Sequence, residues 1–379
     1  MKLGVANHTH AKVQGVDGVR ILKLLGEQDD AWSGQDYWTA RPREDGWIGG
    51  TGDQISISSP RDADVIAAGD VVRLRENSSL ISVLWRRGAR TNTLFTTERC
   101  NSLCLMCSQP PRDEDDRWRV SELLQTIPLI DSDEPQLGIT GGEPTLLGQG
   151  LTEILEACHR HLPFTELHIL TNGRNFRNHE AAKAWVTAGG RKAMWAVPLY
   201  ADVPEIHDTV VVAPGAFDET LDGLFELARY DARVEIRVVL HKMTIPRLRQ
   251  LVAFIYRRLP FVDHVALMGL EPMGFAKANR DKLWIDPVDY LPELRDAVFF
   301  LANRGMNVSI YNLSLCVLPK PLWQFARQSI SEWKNTFPSD CSGCVVKEHC
   351  SGFFASAGPN WKSRRVGPLG LKDLNYELA

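Results

Sequence analysis

The chain has 379 residues, enough for two or three domains with a sizeable core. Hydrophobic residues make up 44% and charged residues 24%, proportions that exclude a wholly disordered or fibrous chain. A net charge of −4 excludes the basic excess typical of nucleic-acid-binding proteins. No apolar run reaches the roughly 18 residues that a membrane helix needs, and the first residues lack the apolar segment of a secretory signal. We therefore expect a cytoplasmic protein with neither nucleic-acid nor membrane partners.

Residues 1–90 are predicted to form a small β-rich module. Turn signals separate short extended runs, and the predicted strands are 54–58, 71–74 and 80–85. No catalytic constellation lies in this region. Its role is open between a structural cap, recognition of a leader peptide and binding of a partner subunit.

From residue 91 onwards, strands and helices alternate. The predicted strands are 91–97, 136–140, 167–171, 193–199, 234–240 and 264–269, and the predicted helices begin at 144 or span 179–188, 217–229 and 246–258. Six such units over 91–280 indicate an α/β fold with a parallel barrel or partial barrel, whose site lies at the carboxyl ends of the strands. A third region, 281–379, is predicted to contain helices at 287–303 and 320–334 and a cysteine-rich tail.

Eight cysteines fall mainly into two tight groups, which favour metal sites over structural disulfides in a chain without a secretory signal. Cys158 belongs to neither group. It shares the apolar face of its predicted helix with Leu151, Ile154 and Leu155, and we expect it to be a buried core thiol.

The first group has the spacing C-x3-C-x2-C and consists of Cys100, Cys104 and Cys107, directly after the first barrel strand. Three thiolates on one loop can bind three irons of a cubane cluster and leave the fourth iron open to a substrate or cofactor. Zinc is the alternative, although structural zinc sites use four ligands.

A second motif, Gly141-Gly142-Glu143-Pro144, follows the predicted strand 136–140. The glycines allow the backbone to approach a ligand closely, and Pro144 suits the first position of a helix. Glu143 offers an acceptor for an ammonium group.

Together, the cysteine spacing and the GGEP motif resemble the radical S-adenosylmethionine (radical SAM) superfamily over roughly 91–280. The resemblance implies a partial (β/α)6 TIM-type barrel that holds a [4Fe–4S] cluster on the three cysteines. SAM would chelate the open iron, and reduction of the cluster would cleave SAM to methionine and a 5′-deoxyadenosyl radical that abstracts a substrate hydrogen.

The resemblance also implies contacts to SAM at matching positions of this chain. The SAM amino group would be held by the GGEP motif, and the methionyl and ribose groups would lie near Thr171 and Asn172. Tyr200 matches the ribose side, where the family often has Ser. The adenine would lie near three residues: Met106, in place of the usual aromatic residue, Gly269 and Leu270.

The predicted strand 234–240 places Glu235 and Arg237 on one face and apolar residues on the other. If the apolar face packs on helices, both charges point into the barrel lumen. Arg237 is then predicted to bind the SAM carboxylate, and the alternative is a salt bridge to Glu235.

The second cysteine group has the spacing C-x2-C-x5-C, from Cys341 through Cys344 to Cys350, with Cys316 as a plausible fourth ligand. The spacing resembles the tail of SPASM and twitch domains. Four cysteines suffice for one auxiliary [4Fe–4S] cluster, which favours a twitch-like domain over 281–379. Structural zinc and redox disulfides are the alternatives.

The runs 313–319, 329–334 and 341–354, with 92–100 and 108–111, resemble the HxsC-type maturases of His-Xaa-Ser repeat peptide systems. This resemblance implies an enzyme that modifies a ribosomally made precursor peptide, and the His and Ser content of that precursor suggests side-chain cross-linking. It also implies a sister radical SAM subunit and an external electron donor. The alternatives are a radical SAM enzyme acting on a small molecule and a catalytically silent iron–sulfur partner subunit.

Overall fold

The computed structural model describes residues 8–26, 29, 39–44, 46–49, 55–58, 66–328 and 336–374. Their strands form two eight-stranded sheets, one in the N-terminal region and one in the rest of the chain. None of the helices in these ranges has both the length and the apolar character needed to cross a membrane.

In the N-terminal sheet, the first two strands of the chain lie at opposite ends of the strand order. Its members are β1 (His8–His10), β2 (Lys12–Gln14), β3 (Val19–Leu24), β4 (Thr39–Arg43), β5 (Gly46–Gly49), β6 (Ile55–Ser58), β7 (Val71–Arg75) and β8 (Leu80–Trp85). The order is β1-β8-β7-β3-β4-β5-β6-β2, so the two ends of the sheet are strands that only Ala11 separates along the chain. The β-rich prediction agrees with β6–β8, and residue 54 of the predicted strand lies outside the described residues.

This sheet packs against the segment that follows the first cysteine group. The fully buried Lys23 Nζ donates to the carbonyl of Leu129 at 2.9 Å and pairs with Asp131. Trp85 Nε1 donates to the Glu134 carboxylate at 2.6 Å. Burial lowers the pKa of Lys23, and the neighbouring Asp131 counteracts only part of this shift.

The second sheet is parallel throughout and forms a nearly closed, barrel-like wall. Its strands are β9 (Asn92–Phe95), β10 (Gln136–Thr140), β11 (Glu166–Leu170), β12 (Ala193–Pro198), β13 (Arg233–Leu240), β14 (His264–Gly269), β15 (Val308–Tyr311) and β16 (Ala326–Arg327), paired in chain order. All six predicted strands are present. Two more follow, so the parallel sheet continues past residue 280 to residue 327.

Helices connect these strands on the outside of the sheet. They are α1 (Trp118–Thr126), α2 (Gln149–His161), α3 (His179–Gly189), α4 (Pro204–Val211), α5 (Ala216–Arg229), α6 (Leu248–Arg258), α7 (Phe275–Ala278), α8 (Arg280–Leu283) and α9 (Leu291–Ala302), with α10 (Leu371–Leu374) near the C-terminus. The helices predicted within the barrel region match α2, α3, α5 and α6, and α1 and α4 were not predicted.

Two predicted helices differ from the structure. Pro144–Leu147 is a 3-10 turn, and α2 begins only after Gly148. The prediction of a helix over 320–334 was wrong for its described part, because Lys320–Phe325 is a 3-10 segment that runs directly into β16. Pro321 near its start removes a backbone donor. Residues 329–334 lie outside the described ranges.

Strand β13 shows how the barrel separates its two faces. Val234, Ile236 and Val238 are fully buried among the helices, whereas Glu235 and Arg237 face the lumen, as the alternation predicts. Cys158 is 1% exposed within the same outer core, which confirms that it is a buried thiol.

Candidate functional site

The first cysteine group lies on a loop that begins where β9 ends, and this loop is hydrogen-bonded to the GGEP segment. Gly142 N donates to the Thr97 carbonyl at 2.6 Å, and Glu143 N donates to the Arg99 carbonyl at 2.8 Å. Since β9 and β10 are parallel neighbours, their carboxyl ends bring these two segments to the same edge of the barrel.

Glycine is required in the GGEP segment because the cysteine loop passes directly over it. A Cβ on Gly142 would lie 2.1 Å from the Arg99 carbonyl oxygen, and one on Gly141 would lie 2.7 Å from Thr96 Oγ1. The sequence interpretation ascribed these glycines to the approach of a ligand. The structure gives them a second cause, the contact between the two loops.

The carboxylate of Glu143 is fully buried and accepts four hydrogen bonds. Oε1 accepts from Thr145 N at 3.1 Å, from Thr145 Oγ1 at 2.6 Å and from Thr171 Oγ1 at 2.6 Å, while Oε2 accepts from Asn172 N at 2.6 Å. Burial raises the pKa of Glu143 in spite of these donors. Glu143 therefore joins the carboxyl ends of β10 and β11. Its Oε2 accepts a single hydrogen bond, and the contact with the SAM amino group stays a prediction.

The carboxyl end of β11 also holds the cysteine loop. Asn172 Nδ2 donates to Asn101 Oδ1 at 2.5 Å. Arg174 donates to the Asn101 carbonyl and, at 3.0 Å, to Ser102 Oγ, while Glu219 holds the Arg174 guanidinium at 2.7 Å. Asn172 is thus a partner of the loop that carries Cys100 and Cys104.

The far side of the cysteine loop is fixed by α4 and by the segment before α7. Leu103 N and Leu105 N donate to the carbonyls of Val211 and Val210, at 3.0 and 2.9 Å. Phe275 N donates to the Cys107 carbonyl at 2.8 Å. Both sides of the cysteine loop are therefore anchored by backbone hydrogen bonds.

The three thiols of this loop are free and mutually close enough to interact electrostatically. Burial, reinforced by Glu143, raises the pKa of Cys100 to about 12, and burial also raises the pKa of Cys104 and Cys107. A bound iron cluster would offset this cost because it supplies the positive charge that thiolates need. The donor set therefore fits a three-cysteine cluster site.

Three of the predicted SAM-binding residues pack into one apolar patch beside the thiols. Met106, Tyr200 and Leu270 come from three different connections and are 7%, 7% and 8% exposed. Burial raises the pKa of Tyr200 well above its ordinary value, so its hydroxyl stays neutral. Gly269, the last residue of β14, precedes Leu270. A Cβ on Gly269 would lie 2.5 Å from the Asn312 carbonyl oxygen.

Arg237 points into the lumen, and its guanidinium donates to Glu235 at 3.2 Å. This is the contact that the sequence analysis gave as the alternative. Since the Arg237 side chain is still 24% exposed, donors remain for an anion in the lumen. The salt bridge to Glu235 is therefore compatible with the predicted contact between Arg237 and the SAM carboxylate.

The second cysteine group also converges in the structure. Cys316 follows β15 and interacts electrostatically with Cys341 and Cys350, and both of these interact with Cys344. Leu315 N and Gly352 N each donate to Cys350 Sγ at 3.4 Å, and Leu369 N donates to Cys344 Sγ at 3.5 Å. Amide donors of this kind stabilise thiolates and are found around cluster sulfurs, so these four residues fit a metal centre.

Among the described residues, no three His, Cys, Asp or Glu side chains are arranged to hold a single metal ion. A structural zinc ion would need such a single-ion arrangement, whereas a cubane cluster takes each thiolate on a different iron.

Sequence reasoning missed several residues of the site. Asn101 and Arg174 hold the cysteine loop. His264 contacts Glu235 from the adjacent strand β14, and His168 contacts it from β11, two strands away. The histidines had a usable signal, since each occupies a polar position in an otherwise apolar strand. Asn101 and Arg174 had none, because their contacts join segments more than 70 residues apart.

The sequence model of the radical SAM superfamily matches residues 94–255. That span contains the first cysteine group, the GGEP motif, the end of β9 and four complete strands of the barrel-like sheet, β10 to β13. This part of the chain is a radical SAM domain, whose family implies a [4Fe–4S] cluster and SAM. No curated protein matches the chain significantly.

Several solved structures are similar to part of the chain. SuiB from Streptococcus suis is 16% identical with a TM-score of 0.43, and the match covers 57% of this chain and 48% of SuiB. The protein described as native anSMEcpe with bound AdoMet is 17% identical with a TM-score of 0.44, over 57% of this chain and 62% of that one. Coproporphyrinogen III oxidase from Escherichia coli is 16% identical with a TM-score of 0.43, over 56% and 52%. The chain thus spans about half to three fifths of these proteins.

Proposed function

We propose that the radical SAM domain of this chain modifies a ribosomally made peptide of the His-Xaa-Ser type. The observation that carries the proposal is the pairing of a three-cysteine loop at the carboxyl edge of the sheet with a second, four-cysteine group whose first member, Cys316, follows β15. The resemblance of residues 313–319 and 341–354 to HxsC-type maturases supplies the substrate class.

In this proposal, each part of the site has a separate task. The cysteine loop binds the cluster, the patch of Met106, Tyr200 and Leu270 packs against the adenine, and Arg237 binds the SAM carboxylate. When bound and reduced, the cluster supplies the electron that cleaves SAM to methionine and a 5′-deoxyadenosyl radical. The buried carboxylate of Glu143 keeps the carboxyl ends of β10 and β11 in register beneath these groups.

The proposal includes partners and a second cofactor. The tail cysteines hold an auxiliary [4Fe–4S] cluster within a twitch-like domain, and an external donor delivers electrons. A sister radical SAM subunit and the precursor peptide complete the system in the reducing cytoplasm. All eight cysteines are free thiols in the structure, a state compatible with such a compartment.

The decisive experiment is anaerobic turnover of the reconstituted full chain with SAM, a reductant and a synthetic peptide containing His-Xaa-Ser repeats. We expect formation of 5′-deoxyadenosine together with a mass change of the peptide. A control peptide with every His and Ser replaced by Ala should keep its mass. If 5′-deoxyadenosine forms but no peptide mass changes, the radical chemistry stands and the peptide proposal is wrong.

A second candidate is a radical SAM enzyme acting on a small polar molecule. The observation that favours it is the polar floor of the lumen, where two histidines and an arginine surround Glu235. The same assay separates the two, because a small-molecule enzyme leaves every peptide unmodified.

A further inference from the structure

The lumen of the barrel holds a buried carboxylate that is contacted from three strands. Glu235 on β13 is 5% exposed. His168 Nε2 on β11 lies 3.2 Å from its Oε1, and His264 Nδ1 on β14 lies 2.7 Å from its Oε2. Arg237 approaches Oε1 from one layer closer to the cysteine loop, also at 3.2 Å.

The charge state of Glu235 fixes the protons on both histidines. Burial by itself would raise the pKa of Glu235, but hydrogen bonds from His168 and His264 and the charge of Arg237 outweigh it and lower the pKa. An ionised carboxylate only accepts hydrogen bonds. His168 therefore carries a proton on Nε2, and His264 carries one on Nδ1.

The remaining nitrogens of the two rings differ in their surroundings. His264 Nε2 lies 3.0 Å from Ser309 Oγ, which donates to it. No described residue forms a hydrogen bond with His168 Nδ1, and the His168 side chain is 18% exposed. Its neighbours on β11, Leu167 and Ile169, are buried in the outer core, so the ring stands on the lumen face.

A chain of electrostatic interactions leads from the surroundings of His168 to the first cysteine group. Arg237 interacts electrostatically with Tyr200, which in turn interacts with Cys104 and Cys107. A substrate that reaches into the lumen below Arg237 would meet the free nitrogen of His168.

We infer that His168 is a general base, which accepts a proton through Nδ1 from a hydroxyl or ring N–H of the substrate. In this step the O–H or N–H bond breaks, the proton passes to Nδ1, and the electron pair stays on the substrate heteroatom. Glu235 is a positioning residue, which holds the ring in the required tautomer and stabilises the imidazolium that forms. The inference rests on the proposed function only for the identity of the substrate.

The first test needs no substrate. In the full chain, ¹⁵N NMR identifies the His168 signals by their loss in His168→Gln. We expect the tautomer with the proton on Nε2 and a bare Nδ1, and we expect Glu235→Gln to abolish this preference. A proton on Nδ1 in the wild-type chain would overturn the inference.

The second test measures modified peptide per 5′-deoxyadenosine formed, with the His-Xaa-Ser peptide as substrate. His168→Gln should lower this ratio about 100-fold, within the range typical of general-base catalysis. Added imidazole should restore part of it in His168→Ala. His159→Gln removes an exposed histidine on α2, outside the barrel, and should leave the ratio unchanged.

The pH dependence of the same ratio distinguishes catalysis from a structural role. The wild-type ratio should fall on the acid side, as a reaction that needs a general base requires, and His168→Gln should lose that limb. The other titratable or charged groups facing His168 are Glu235 and Arg237 on β13, His264 on β14 and Tyr311 on β15.

The outcomes separate the two ideas. An unchanged ratio in His168→Gln, or an acid limb that persists in it, would remove His168 from catalysis. A wild-type chain that cleaves SAM and modifies no peptide contradicts the proposed substrate. In that case the ¹⁵N NMR measurement of the His168 tautomer still tests whether Nδ1 can accept a proton.

Discussion

Replacing Gly142 by Ala tests whether the contact between the two loops builds the first cluster site. A Cβ at this position would lie 2.1 Å from the Arg99 carbonyl oxygen and 2.6 Å from its carbon, where real Cβ contacts essentially never fall below 3.0 Å. One backbone must therefore retreat by about 1 Å, which is a displacement that well-packed structures resist. The hydrogen bond from Glu143 N to the same carbonyl, 2.8 Å long, would be lost with it.

The cost can be approximated from these two contributions. Overpacking of this kind costs about 1–3 kcal/mol, and a lost hydrogen bond adds about 1 kcal/mol. We expect Gly142→Ala to lower the melting temperature by about 5 °C. Because Arg99 precedes Cys100, the displacement should also reduce the iron retained by the first site.

The assay compares iron and sulfide per chain and the melting temperature after anaerobic reconstitution. Gly367→Ala is the matched control, because a Cβ there would have no atom within 4 Å. If Gly142→Ala retains full iron and its melting temperature stays within a degree of the wild type, the two loops separate at little cost, and the reasoning fails.

Three further predictions concern single residues. Cys104→Ala should abolish 5′-deoxyadenosine formation, whereas Cys158→Ala should preserve it, and measurable product from the first variant would contradict the cluster assignment. Cys344→Ala should lower bound iron from about eight to about four atoms per chain; loss of zinc with constant iron would instead identify a structural zinc site. Lys23→Ala should lower the free energy of unfolding by about 3 kcal/mol in a thermal melt, because it removes a fully buried cation and leaves its partly buried partner Asp131 with one cation fewer. The exposed change Lys183→Ala should have little effect, and equal shifts in both variants would refute this argument.

The sequence predicted the barrel region well because its strands are long and fully apolar on their outer faces. The alternation of apolar and charged residues in β13 predicted that Glu235 and Arg237 share the lumen face. The motif spacing brought Cys100 and Glu143 to one site because parallel strands end at the same edge of a sheet.

Other features depend on contacts that no local pattern encodes. The strands β15 and β16 have only four and two residues and were missed, although they extend the parallel sheet. Helix α4 was missed because it has only eight residues, yet its last carbonyls hold the cysteine loop. The four donors to Glu143 come from two segments nearly 30 residues apart, so the sequence revealed the carboxylate and not its partners.

The closure of the N-terminal sheet has a consequence for how the chain can be altered. Residues His8–Gln14 pair with β8 at one end and with β6 at the other, through a single intervening alanine. Deleting this stretch would leave β8 and β6 as the new edge strands of the N-terminal sheet. Their unpaired backbone groups could then pair with a strand of another chain. A truncated chain that lacks residues 8–14 is therefore expected to self-associate through these exposed strand edges.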